Sequence, residues 1–136
     1  MEIAKHLCEN LRQQYPNDSF VAYTDDSNGY GNHALIFNMI GVKVCRLIRS
    51  NAKIIGDSAL KSLLHRVVFE SKLMNDNVER ARQLFDEIDK MLPDSSKTVF
   101  ATNVNSNDCP VVYGPHKGLA YFSEPEFGTH VTIVLH

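Results

Sequence analysis

Residues 130–132 read His-Val-Thr inside the run THVTIVLH, whose β-branched residues predict a strand. Side chains two apart on a strand point to the same side, so His130 and Thr132 would present an imidazole and a hydroxyl together. An imidazole changes its charge near neutral pH, which suits it to take or give a proton during a reaction. The pair is therefore the best catalytic lead in the chain.

The tripeptide resembles half of the signature of two-histidine phosphodiesterases, which place an HxT or HxS tripeptide on each of two strands. The resemblance implies one histidine that deprotonates a ribose hydroxyl, another that protonates the leaving oxygen, and hydroxyl residues that hold the phosphate. The sequence supplies a single copy. The comparable strand histidine, His33, stands in His-Ala-Leu, and Leu35 has no hydrogen bond to offer a phosphate. His116, in the turn GPHKG, is the other histidine available as a second. Without a second His-x-Thr or His-x-Ser the acid and base roles lack one holder. The catalytic candidates are thus His130 and Thr132 with His33 or His116, and the sequence favours a non-enzymatic reading over this chemistry.

Other reaction centres fare no better. His130 and His136 are six residues apart on one strand, about 20 Å, and cannot chelate one ion. Pairing His116 with His136, or His130 with Glu124 or Glu126, leaves two ligands, too few to close a zinc site. No metal and no cofactor is expected. Cys8, Cys45 and Cys109 are odd in number, widely spaced and without a CxxC pair, which argues against a disulfide framework and for a reducing, cytoplasmic setting. Cys8 fits a helix stripe and Cys45 a strand, where free cysteine acts as a small hydrophobe. Asn28-Gly29-Tyr30-Gly31 contains GxG but lacks the third glycine and following helix of a phosphate loop. The run DDSNGYGN (25–32) reads as a hairpin turn, and Asp25 and Asp26 lack the spacing of a calcium loop.

Charge and aromatic placement carry two binding leads. Between Val42 and Arg66 stand six bases (Lys43, Arg46, Arg49, Lys53, Lys61, Arg66) and one acid, Asp57, in a chain of formal charge -2. A local positive surface suits a discrete anionic ligand such as a nucleotide, with Lys43, Arg46, Arg49, Lys53 and Arg66 as contacts. It is too small to track an extended duplex. Towards the C-terminus Tyr113, His116, Lys117, Tyr121 and Phe127 cluster near turns, where aromatics anchor protein interfaces.

The elements that must position these groups follow from periodicity. The chain has 136 residues, 43% of them hydrophobic, which is the length of one ordinary domain spanning 1–136. Seven glycines and five prolines are too few for a disordered chain. No run approaches 18 apolar residues, and the N-terminus has no continuous apolar stretch of a signal peptide. Ile3, Leu7 and Leu11, with Ala4, Cys8 and Tyr15 widening the stripe, predict an amphipathic helix ended by Pro16. Strands are predicted over Phe20–Thr24, His33–Met39 and Val42–Ile48. A helix capped by Asp57 or Ser58 runs to about Met74, its stripe formed by Leu60, Leu63, Leu64, Val67, Val68 and Leu73. Another carries Val78, Ala81, Leu84, Phe85, Ile88, Met91 and Leu92 on one face, before Pro93. Thr98–Val104, PVVY, LAYF and THVTIVLH then predict an antiparallel meander.

The fold expected is α+β: a single-domain two-layer sandwich, mainly antiparallel sheet with about three helices. The function expected is a non-enzymatic binding or inhibitory module acting through protein–protein contact, a profile that a small phage or bacterial inhibitor would have. The alternatives are a binder of a small anionic ligand through residues 42–66, and a phosphodiesterase-like enzyme using His130 and Thr132. The partner is a protein or a small anion rather than duplex nucleic acid or membrane, and a homodimer is compatible with each reading.

Overall fold

Helix α1 (Glu2–Gln14) lays Ala4 and Cys8 flat against a sheet, with Leu7 and Leu11 partly buried beside them. Four members of the predicted stripe are therefore in place, and two at its margins, Ile3 and Tyr15, are exposed. The computed structural model describes residues 2–24, 28–39, 41–50, 57–71, 76–103, 111–113, 120–126 and 129–136.

The strands beneath α1 are β1 (Phe20–Thr24), β3 (His33–Met39), β4 (Val42–Leu47) and β6 (Val111–Tyr113). Together they form an antiparallel sheet ordered β3-β4-β1-β6. A second antiparallel sheet runs β2-β5-β8-β7, from β2 (Asn28–Gly31), β5 (Lys97–Asn103), β8 (Thr129–Leu135) and β7 (Ala120–Glu126). Its outer face is covered by α2 (Asp57–Glu70) and α3 (Asn77–Met91). Leu60, Leu64, Val67 and Val68 of α2 join Ala81, Leu84 and Ile88 of α3 over Val99, Ala101, Val131, Ile133 and Leu135. Among the described residues no helix is long and apolar enough to cross a membrane.

The period-two pattern explains how β1, β4, β5 and β8 each serve two cores at once. Phe20, Ala22, Val42 and Val44 face α1, whereas Val21, Tyr23, Cys45 and Leu47 face the other sheet and meet Phe100 and Val134. The Tyr23 and Phe100 rings lie 5.0 Å apart at a tilt of 58°. The chain is therefore α+β with three helices and antiparallel strands, as its periodicity predicts, and its layers run helix, sheet, sheet, helix pair.

Two local readings are corrected. The turn expected over 25–32 contains a strand, β2, which pairs with β5 through Asn28↔Ala101 to Gly31↔Thr98. The C-terminal strands are not a simple meander: β6 leaves for the first sheet beside β1, and only β7 and β8 stay adjacent. β2 and β3 are adjacent in sequence yet lie in different sheets, so Asn32 is a corner. Its N–H donates to the Lys97 carbonyl at 2.8 Å, its Oδ1 accepts the Lys97 N–H at 3.1 Å, and its carbonyl accepts the Ile48 N–H at 3.3 Å. Glycine is required before that corner. At Gly31, with φ of 145°, a Cβ would strike the Lys97 carbonyl; at Gly29 it would sit 2.7 Å from the Phe100 ring. The GxG is a packing device here.

Candidate functional site

β8 alternates Val131, Ile133 and Leu135 towards the helices, which sends His130, Thr132 and Val134 to the opposite face with Phe100. His130 is half-buried opposite Thr102, while Thr132 has no exposed surface. The same-side placement read from the sequence is present, on a face turned to the protein interior. His33 pairs with Leu47 at the start of β3, next to the Asn32 corner. That is the His136 end of β8, so the length of the strand separates His33 from His130. His116 lies outside the described residues.

The histidine that the corner does gather is His136. Its Nε2 is 2.9 Å from Thr98 Oγ1 in one sheet, and its Nδ1 bonds the Ile48 carbonyl in the chain leaving the other. Its backbone is held as well, donating to Ser96 O and accepting from Ser50 N at 2.8 Å each. Burial pushes its pKa down to about 4; the Ile48 carbonyl opposes that, and Arg49, His33 and Lys97 nearby reinforce it. Burial lowers the His33 pKa too. His136 is thus a neutral strut between sheets, with both ring nitrogens engaged.

The basic segment is distributed over both halves of the molecule. Lys43 reaches over the Tyr23 ring, 5.8 Å from its centroid, and Arg46 lies 3.9 Å from Asp18 on an exposed face. Arg49 donates to Ser19 Oγ. Lys43 and Arg46 sit on β4 of the first sheet and Arg49 just beyond it, whereas Lys61 and Arg66 are exposed on α2 against the second; Lys53 lies outside the described residues. Of the aromatic set, Tyr113 is on β6 and Tyr121 on β7, the edge strands of different sheets; His116, Lys117 and Phe127 lie outside the described residues. Cys8 and Cys45 are buried and free. Burial, helped by the Cys45 thiol and Glu9, pushes the Cys8 thiol up to about 12, and burial raises Cys45 as well. Cys109 lies outside the described residues. Among the described residues no three His, Cys, Asp or Glu are grouped as metal ligands.

One surface was not marked by motif reading. β3 is an edge strand on which Leu35, Ile36 and Met39 are 53%, 45% and 56% exposed. Residues 33–39 carry no Asp, Glu, Lys or Arg. A bulge between Leu35 and Phe37 spreads these side chains over both faces of the strand: Leu35 opposes Cys45, while Phe37 and Met39 oppose Val44 and Val42. Among the described residues nothing pairs with the outer edge of β3. Its signal in the sequence was the uncharged run HALIFNM itself, but which strand lies at an edge is a property of the sheet order. Comparison with family models, curated proteins and solved structures finds no match to this chain.

Proposed function

We propose that the chain is a non-enzymatic binding or inhibitory module that acts through protein–protein contact, with β3 as the edge it offers. The observation that carries this reading is an edge strand with three large exposed apolar side chains and no charge. Edge strands of self-sufficient proteins are commonly guarded by lysine, proline or inward charge, and this one has only its bulge. Free backbone groups on such an edge accept an added strand, and alternate side chains set its specificity.

The occupant best suited is an extended, uncharged apolar segment of a different protein. A two-fold pairing with a second copy centred on the strand would set bulge against bulge at Ile36, whereas a regular segment has one bulge to accommodate.

The test is residue-resolved cross-linking of partners from the native extract to wild type and to Leu35→Lys and Ile36→Lys, followed by affinity measurement with the identified partner. Both side chains are exposed, so stability should change by only about 0.5 kcal/mol. The expected result is cross-links on β3 and a loss of affinity of about tenfold or more in each variant. Unchanged affinity in both variants removes β3 as the contact. Sedimentation that finds a dimer of wild type dissolved by the same substitutions makes the occupant a second copy and overturns the choice of partner.

A further inference from the structure

The corner where the chain passes from β2 to β3 leaves a cleft of about 440 Å3, lined by Gly29, Tyr30, Gly31, Asn32, His33 and Phe85. Three features of its lining point the same way. The Tyr30 ring meets Phe85 edge-on, centroids 5.1 Å apart at 79°, and the residue is still 42% exposed. It is an aromatic wall braced on one side and open on the other. Asn32 has its oxygen fixed on the Lys97 N–H, which orients the amide and leaves its NH2 without a partner among the described residues. His33 Nδ1 also meets no hydrogen-bond partner among the described residues, and burial keeps that imidazole neutral.

The charge around the cleft narrows the ligand. None of the six lining residues carries a charge at neutral pH. The nearby cation, Lys97, is buried beneath the Phe85 ring, 5.4 Å from its centroid, and is paired with Asp89. Among the described residues of the lining, a phosphate or carboxylate finds no counter-charge. A flat neutral ring finds a stacking face and a pair of amide donors, with a neutral imidazole beside them.

We propose that this cleft binds a neutral planar heteroaromatic ring of nucleobase type, its face on Tyr30 and its hydrogen-bonding edge towards the Asn32 amide. The site meets β3 only at His33, its first residue, away from Leu35, Ile36 and Met39, and either proposal stands if the other fails.

The experiment is a titration followed by two-dimensional amide NMR, with adenosine, uridine, AMP and hexa-adenylate as probes. Adenosine or uridine should move the amides of residues 29–33 and Phe85, and AMP should bind within about twofold of adenosine because its phosphate meets no charge. Asn32→Asp keeps the oxygen that holds Lys97 and removes the donors; it should weaken binding about tenfold. If that variant loses its dispersed spectrum, Tyr30→Leu, which retains apolar contact with Phe85 but has no ring face, takes its place with the same expected loss. Hexa-adenylate distinguishes a base carried on a strand, which binds tighter than adenosine, from a free ring, which does not; both results keep the site. Three outcomes overturn it: no shift at residues 29–33 with either nucleoside at about 5 mM, binding that requires the phosphate, or wild-type affinity in the variant.

Discussion

His136 joins the two sheets through both ring nitrogens, and burial is what holds its ring in the neutral form. Its folded pKa, about 4, lies below the value near 6.5 of an unfolded histidine, so the unfolded chain takes up the proton first. Stability from this residue is complete above about pH 6.5 and is lost as the pH falls through about 4, amounting to about 3 kcal/mol. Burial shifts His33 in the same direction. Urea unfolding between pH 7 and pH 4 should therefore show a slope that flattens in His136→Gln; an equal slope in the variant would assign the loss to other groups. The corner glycines give a second residue-scale expectation. Gly31→Ala drives a Cβ into backbone at a positive φ and should cost several kcal/mol, roughly 3 or more. Gly29→Ala meets a side-chain ring instead and should cost less. Denaturant midpoints of the two variants give the order directly. For the buried thiols, whose proton affinity is raised, residue-resolved labelling with a thiol reagent should leave Cys8 and Cys45 unmodified until the protein unfolds.

At the scale of elements, the start of α3 is defined by a side chain. Asp76 accepts the Val78 N–H at 2.9 Å from an extended backbone, so Asp76→Ala should lower stability by about 1 kcal/mol in chemical denaturation. The stripe Ala81, Leu84, Ile88 was plain in the sequence, because a helix packed on one side repeats its burial every three to four residues. α1 was legible as a helix together with Ala4, Leu7, Cys8 and Leu11 of its stripe, whereas Ile3 and Tyr15 at the margins stay exposed. Strands were legible where β-branched residues alternate, as in β1 and β8. β2 was not, since Asn-Gly-Tyr-Gly has the composition of a turn, and its glycines answer to Lys97 and Phe100, 65 or more residues away in sequence. The same distance in sequence hid the β3 edge and the Asn32 cleft. The candidate residues were visible one by one, and their grouping depends on which strands neighbour which.

Across the whole molecule, the two helix-covered sheets adhere through a thin shared core: Val21, Tyr23, Cys45 and Leu47 from one, Phe100 and Val134 from the other, with Val112 beside them. The polar struts at Asn32 and His136 close one end of that seam. Each outer core, α1 on one sheet and α2 with α3 on the other, is buried independently of the seam. Phe100 is the residue on which the halves depend most, because its ring stacks on Tyr23 and also occupies the space left by Gly29. Phe100→Ala removes both contacts and should cost about 3–5 kcal/mol. Its signature should be collective: hydrogen exchange would accelerate in β1 and β4 as well as in β5 and β8, although the substitution lies in one sheet only. Leu11→Ala, at the rim of the α1 core, should accelerate exchange in α1 while leaving β5 and β8 protected. Loss of protection confined to β5 and β8 in Phe100→Ala would mean that the sheets fold as separate units and that the seam contributes little to their stability.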